Sequence, residues 1–125
     1  MSPVEKMTNA EFNEQFCERT KCFAIAIVLF VESLPFNTAT KVLGNQLSKS
    51  GTSVGANFRA FCRGRSKNEK FAKICIVVEE ADEVLYWLDV ISALPYANKT
   101  TLQYRCVEGL EILKLASSIK NGLYQ

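Results

Sequence analysis

SKNEKFAKICIVVEEADEVLYWLDVISAL, residues 66–94, is the stretch whose reading decides the fold. Ser66 and Glu69 stand three apart in the pattern of a capping box: the serine oxygen takes an N–H of the first turn and Glu69 reaches back to the N–H of the cap residue. Behind this start Phe71, Ile74, Val78, Ala81, Leu85 and Leu88 recur at spacings of three and four, the mark of one apolar helical face. Pro95 ends the pattern. The spacing predicts a helix over 67–94, too long and too apolar on one side to stand without other helices against it.

Working outward, residues 39–63 place Leu43, Leu47, Ser50, Val54, Asn57 and Phe61 at alternating spacings of four and three, a heptad seam. The centre of this second segment, Ser50 to Ala56, contains Gly51 and Gly55, each costing about 1 kcal/mol relative to alanine in a helix. The two glycines are four apart and share a face, so the expected compensation is close approach of a neighbouring helix. A third segment, 10–34, starts at Thr8 or Asn9 and carries Phe12, Phe16, Phe23, Ile27, Phe30 and Leu34 along one side until Pro35 stops it. A fourth, 99–121, starts near Asn98 or Thr100 and carries Leu102, Cys106, Leu110, Leu113 and Ile119. Long helices joined by short breaks lie antiparallel, so an all-α, up-down-up-down four-helix bundle in one domain over 1–125 is expected.

Composition agrees with that architecture. The chain has 125 residues, 48% hydrophobic and 22% charged, with only 6 Gly and 3 Pro. That is enough to bury about two-thirds of the unfolded surface, and poor in the residues that punctuate all-β folds. There is no histidine, which removes Ser-His and Cys-His catalysis and the commonest soft-metal ligand. The carboxylate group Glu79, Glu80, Asp82 and Glu83 lacks the Glu-x-x-His partners of a helical di-iron site. Gly44 to Ser50 resembles a phosphate loop only loosely, because Ser48 stands where the glycine before the lysine belongs. No enzyme, metal or cofactor is expected. Five cysteines, at 17, 22, 62, 75 and 106, without a C-x-x-C pair, read as small buried hydrophobes of a reducing, cytoplasmic protein. The opening residues carry acids and no apolar h-region, so no secretory signal is expected. The longest apolar run, Cys22 to Val31, is about half of the ~20 residues that a membrane span needs.

Net charge is only +2, so any charged surface has to be located rather than summed. From Arg59 to Lys73 six cations (Arg59, Arg63, Arg65, Lys67, Lys70 and Lys73) stand against one acid, Glu69. Two readings stay open: a basic corner that contacts the phosphates of RNA or DNA, or a solvated face whose cations answer the acids at 79–83. A second apolar stripe on the 67–94 segment, Val77, Val84, Trp87 and Ile91, lies roughly 100° round from the seam. Together with the all-round apolar Cys22 to Val31 run it predicts a homo-oligomer, with that stripe as its interface. A protein-interaction scaffold or accessory subunit without nucleic-acid binding is the alternative.

Several rare strings occur in order: Phe23-Ala24-Ile25 through Val31-Glu32-Ser33-Leu34-Pro35, Leu43-Gly44-Asn45-Gln46-Leu47, Ser50-Gly51-Thr52-Ser53-Val54-Gly55-Ala56-Asn57, Cys62-Arg63-Gly64-Arg65-Ser66, and Glu79-Glu80-Ala81-Asp82-Glu83-Val84-Leu85-Tyr86-Trp87-Leu88. Over residues 20–94 the chain resembles the bacterial four-helix-bundle proteins encoded in intervening sequences of 23S ribosomal RNA genes. The resemblance implies a ring-like homopentamer, a form shared by related accessory proteins of diversity-generating retroelements. Those relatives join reverse transcriptase and bind nucleic acid through a basic surface. Phe61 departs from the pattern, standing where a small residue is usual.

Overall fold

The computed structural model describes residues 7–123, and these form four helices: α1 (Asn9–Glu32), α2 (Thr38–Cys62), α3 (Lys67–Ser92) and α4 (Lys99–Gly122). Each begins at a side chain that accepts from the N–H three residues on: Thr8, Asn37, Ser66 and Asn98. These four acceptors satisfy donors that the helix itself leaves open, at about 1 kcal/mol each. The box at Ser66 differs from expectation in one detail. Ser66 Oγ accepts from Glu69 N at 3.1 Å, but the Glu69 carboxylate accepts from the N–H of Arg65 at 2.8 Å, one residue before the cap.

The helices follow one another around a square, each packed against its sequence neighbour, with α4 closing on α1 over a much shorter stretch. No diagonal pair meets among the described residues. The all-α bundle expected from the sequence is the fold found. One continuous core runs through it, led by Phe16, Phe23, Ile27, Leu47, Val54, Phe58, Ile74, Leu88 and Ile112. Its three buried polar residues, Thr20, Thr40 and Ser50, donate to main-chain carbonyls of their own helix or the preceding turn.

The α1 face is as read from the sequence, whereas the other three seams shift. On α2 the buried residue is Phe58 and not Asn57. On α4 the core line is Leu102, Gly109, Ile112 and Ala116, and Leu110 is exposed. On α3 the buried line is Ile74, Val77, Ala81, Val84, Leu88 and Ile91. It runs between the two stripes distinguished above and merges them into one broad face.

Glycines set the distance between α1 and α2. A Cβ on Gly51 would fall 2.8 Å from Ile27 Cγ2, one on Gly44 2.8 Å from Val31 Cγ1, and one on Gly55 3.3 Å from the Thr20 carbonyl. All three face α1, so the weak helix formers at the centre of α2 stand where a neighbouring backbone comes close.

Candidate nucleic-acid interface

The end of α2, the turn 63–66 and the first turns of α3 carry the six cations singled out by charge. Arg59, Arg63, Arg65 and Lys67 are exposed, and their side chains make no hydrogen bond or ion pair among the described residues. Lys70 is engaged elsewhere: its Nζ donates to the Phe61 carbonyl at 3.1 Å and sits 4.8 Å from the centre of the Phe61 ring. The ammonium thereby adds a second donor to a carbonyl at the end of α2 that also accepts from the Gly64 N–H at 3.1 Å, and its charge complements the helix dipole there. Gly64 makes room for the lysine stem, since a Cβ there would lie 2.7 Å from Lys70 Cγ. The unusual Phe61 is absorbed in the same way, stacked on Phe58 with centroids 5.3 Å apart. Lys73 is half-buried. Four of the six are thus both exposed and without a side-chain partner among the described residues.

Two more belong with them. No acid occurs between Glu32 and Glu69, and over that interval Lys41 and Lys49 are exposed in addition to Arg59, Arg63, Arg65 and Lys67. Sequence reading looked for dense positive charge; the signal that would have found these two is the absence of negative charge. The expected cross-bundle pairs between the arginines and the 79–83 acids are not formed among the described residues. Instead, burial and then the neighbouring Glu83 hold the Glu80 carboxyl above its usual range, with Lys49 pulling it back and Glu79 adding to the rise.

Beside the arginines, α1 and α2 enclose an open groove of about 550 Å³. Arg59, Arg63 and Lys21 line it together with Glu14 and Glu18 of α1, while Cys17 and Cys62 also reach it. An anion entering the groove would meet two carboxylates, Glu14 and Glu18. Of the cysteines read as buried, Cys22 is exposed and the other four are half-buried.

The interface expected on α3 requires correction. Val77, Val84 and Ile91 are buried in the chain's own core, and only Trp87 is partly exposed, its Nε1–H donating to Glu83 Oε1 at 3.3 Å. Three residues already covered by α2 and α4 cannot also meet a second chain. Exposed apolar side chains occur on every helix, among them Val42, Tyr86, Tyr104, Val107 and Leu110; on α1 Ile25 (50% exposed) and Leu29 (59%) point away from the core, and at the turn after it Phe36 is 93% exposed. Within the Cys22 to Val31 run, Phe23, Ile27 and Phe30 are buried while Ile25 and Leu29 face outward. Among the described residues no helix is long and apolar enough to cross a membrane, and no group of three or more His, Cys, Asp or Glu could hold a metal.

Four helices around a shared core define a small all-α bundle protein, with an acid-free cationic helix and exposed apolar side chains on α1. The model of the 23S rRNA-intervening sequence protein family matches residues 13–118. The chain belongs to that family. It is similar to the crystal structure of a protein of unknown function from the S23 ribosomal protein family of Bacteroides thetaiotaomicron VPI-5482: 28% identical, with a TM-score of 0.78, over 87% of this chain and 97% of that one. A comparison with curated proteins finds no match.

Proposed function

We propose that the protein is a non-enzymatic, self-associating bundle that binds RNA or DNA through the outward side of α2 and the turn that follows it. The carrying observation is the acid-free interval 33–68, on which Lys41, Lys49, Arg59, Arg63, Arg65 and Lys67 are all exposed. Cations attract phosphate whatever the bases it joins, and although Glu14 and Glu18 border the groove beside Arg59 and Arg63 and Glu80 lies near Lys49, none of the six is held in an ion pair among the described residues. Binding is therefore electrostatic and tolerant of sequence. Assembly would repeat this surface around a ring and multiply the contacts.

Fluorescence anisotropy with mixed-sequence RNA and DNA at ~50 mM salt tests the reading, because the phosphate term is strong there. We expect binding whose log K falls linearly with log salt, and each single change of Arg59, Arg63, Arg65 or Lys67 to alanine should flatten the slope by about one unit. Lys70→Ala should instead act on stability, since that ammonium is committed to the Phe61 carbonyl. No binding of either polymer would leave the scaffold reading, which the exposure of Phe36 favours.

Self-association is assigned to the outer face of α1, with a second copy as the occupant. Ile25 and Leu29 lie four apart on that face, and with Ala24, Val28 and Thr52 they border a shallow, almost wholly apolar groove of about 220 Å³. Light scattering should give a mass several times 14.0 kDa. Leu29→Glu should shift it towards monomer, since the interface would then bury an unpaired charge, while the melting curve of the monomer stays intact because Leu29 lies outside the core. A wild-type protein that scatters as a monomer at micromolar concentration would refute the assignment.

A further inference from the structure

Cys17 on α1 and Cys62 on α2 are 45 residues apart in sequence and in van der Waals contact in space, their Sγ atoms 3.6 Å from one another. Among the described residues they are the one pair of thiols that touch. Backbone placement brings them together. The line of close contacts between α1 and α2, Val31 with Gly44, Ile27 with Gly51 and Thr20 with Gly55, continues in the same antiparallel register to Cys17 with Cys62. Glycine therefore holds the two helices at short range just before the cysteines, as a bridge between them demands. Both thiols also line the open groove between α1 and α2, so a small oxidant can reach them from solvent.

We propose that Cys17 and Cys62 are a peroxide-sensitive pair that closes into a reversible intrachain disulfide joining α1 to α2. In the first step the Cys17 sulfur attacks one oxygen of a hydroperoxide. The O–O bond breaks, the departing oxygen leaves as water (or as the alcohol of an organic peroxide) with the thiol's proton, and Cys17 becomes a sulfenic acid. In the second step the Cys62 sulfur attacks the Cys17 sulfur, the S–O bond breaks, and hydroxide leaves as water with the Cys62 proton. For hydrogen peroxide, two thiols and one peroxide give one disulfide and two waters.

The order follows from the surroundings of Cys62. Burial, then the hydrogen bond with Cys17, then the charge of Cys17 push its thiol up to about 12, with Lys70 opposing them, so Cys62 holds its proton and is a poor first nucleophile. The adjacent ammonium of Lys70 then assists ionisation at the moment when Cys62 must attack. The bond would tie down the end of α2 that carries Arg59 and Arg63.

The test uses reduced full-length protein, treated with a small excess of hydrogen peroxide, unfolded in alkylating agent and cleaved with trypsin without reductant. Cys17 lies in the peptide 7–19 and Cys62 in the peptide 60–63. We expect these two peptides joined, at the sum of their masses less two hydrogens, with the remaining three cysteines alkylated. Dithiothreitol should separate the pair. The oxidised protein should melt roughly 5 to 15 °C higher, because the bridge removes loop entropy from the unfolded chain. Cys17→Ser and Cys62→Ser should each abolish both the linked peptide and the shift, while Cys22→Ser leaves both in place. Recovery of the two peptides unlinked, a sulfinic acid on Cys17 without the bridge, or cross-linking through Cys22 alone would each overturn the proposal.

Discussion

Gly51→Leu is expected to cost roughly 3 kcal/mol or more, near the upper end for an overpacked core, and to lower the melting temperature by about 10 °C at this chain length. A bare Cβ at this position already falls 2.8 Å from Ile27 Cγ2, 3.1 Å from Ile27 Cβ and 3.3 Å from Ile27 Cγ1. Ile27 is fully buried and cannot swing aside. Even Gly51→Ala should destabilise, although alanine gains about 1 kcal/mol of helix propensity, because the added methyl meets a branched side chain with no free volume behind it. Gly55→Leu should behave similarly, since its neighbour is the Thr20 main chain, 3.3 Å from the added atom. Far-ultraviolet circular dichroism of the folded variants should remain helical. A Gly51→Leu protein as stable as the parent would mean that α1 and α2 do not pack as described.

Reversing Arg59, Arg63 and Arg65 together to glutamate should reduce nucleic-acid affinity by at least several hundredfold at ~0.1 M salt. Each phosphate contact contributes about 0.9 log unit at that concentration, so the loss of three contacts alone comes to roughly 500-fold before any new repulsion is counted. Stability should change little, because all three side chains are exposed and form no ion pair among the described residues. The same reversal at Lys41 and Lys49 separates a binding surface confined to the turn from one that runs along α2. Binding unchanged by both sets would reject the electrostatic reading.

The sequence carried the helix count, their order and the Ser66 cap, because caps and prolines act locally; Thr8 and Asn98 were each one of two candidates, and Asn37, the cap of α2, was not singled out. Which side of a helix becomes core was harder to read. On α3, apolar doublets at 77/78, 84/85, 87/88 and 90/91 offer two stripes of equal weight, and the way α2 and α4 cross the helix selects the buried line between them. On α4 the choice turns on Gly109, which adds nothing to an apolar pattern. Its bare backbone admits Leu85 and Phe23, 3.2 and 3.5 Å from where a Cβ would stand, and this rotates Leu110 outward. The cationic region was visible as charge, but charge alone could not reveal that Lys70 caps the end of α2. Nor could spacing place Cys17 beside Cys62, since that neighbourhood depends on the register between two helices.

The thin seam between α1 and α4 bears on how the molecule comes into being. Nearly all of its packing joins helices adjacent in sequence, and the α4 to α1 closure, tied by the ion pair of Arg19 with Glu111, is the smallest of the four junctions. Three hairpin-like contacts can therefore assemble in turn as the chain is synthesised, each closing a short loop at little entropic cost, and the meeting of first and last helices comes after the core is largely in place. A bundle arranged in this way folds quickly, and the part that opens most readily is the flank where α1 and α4 meet.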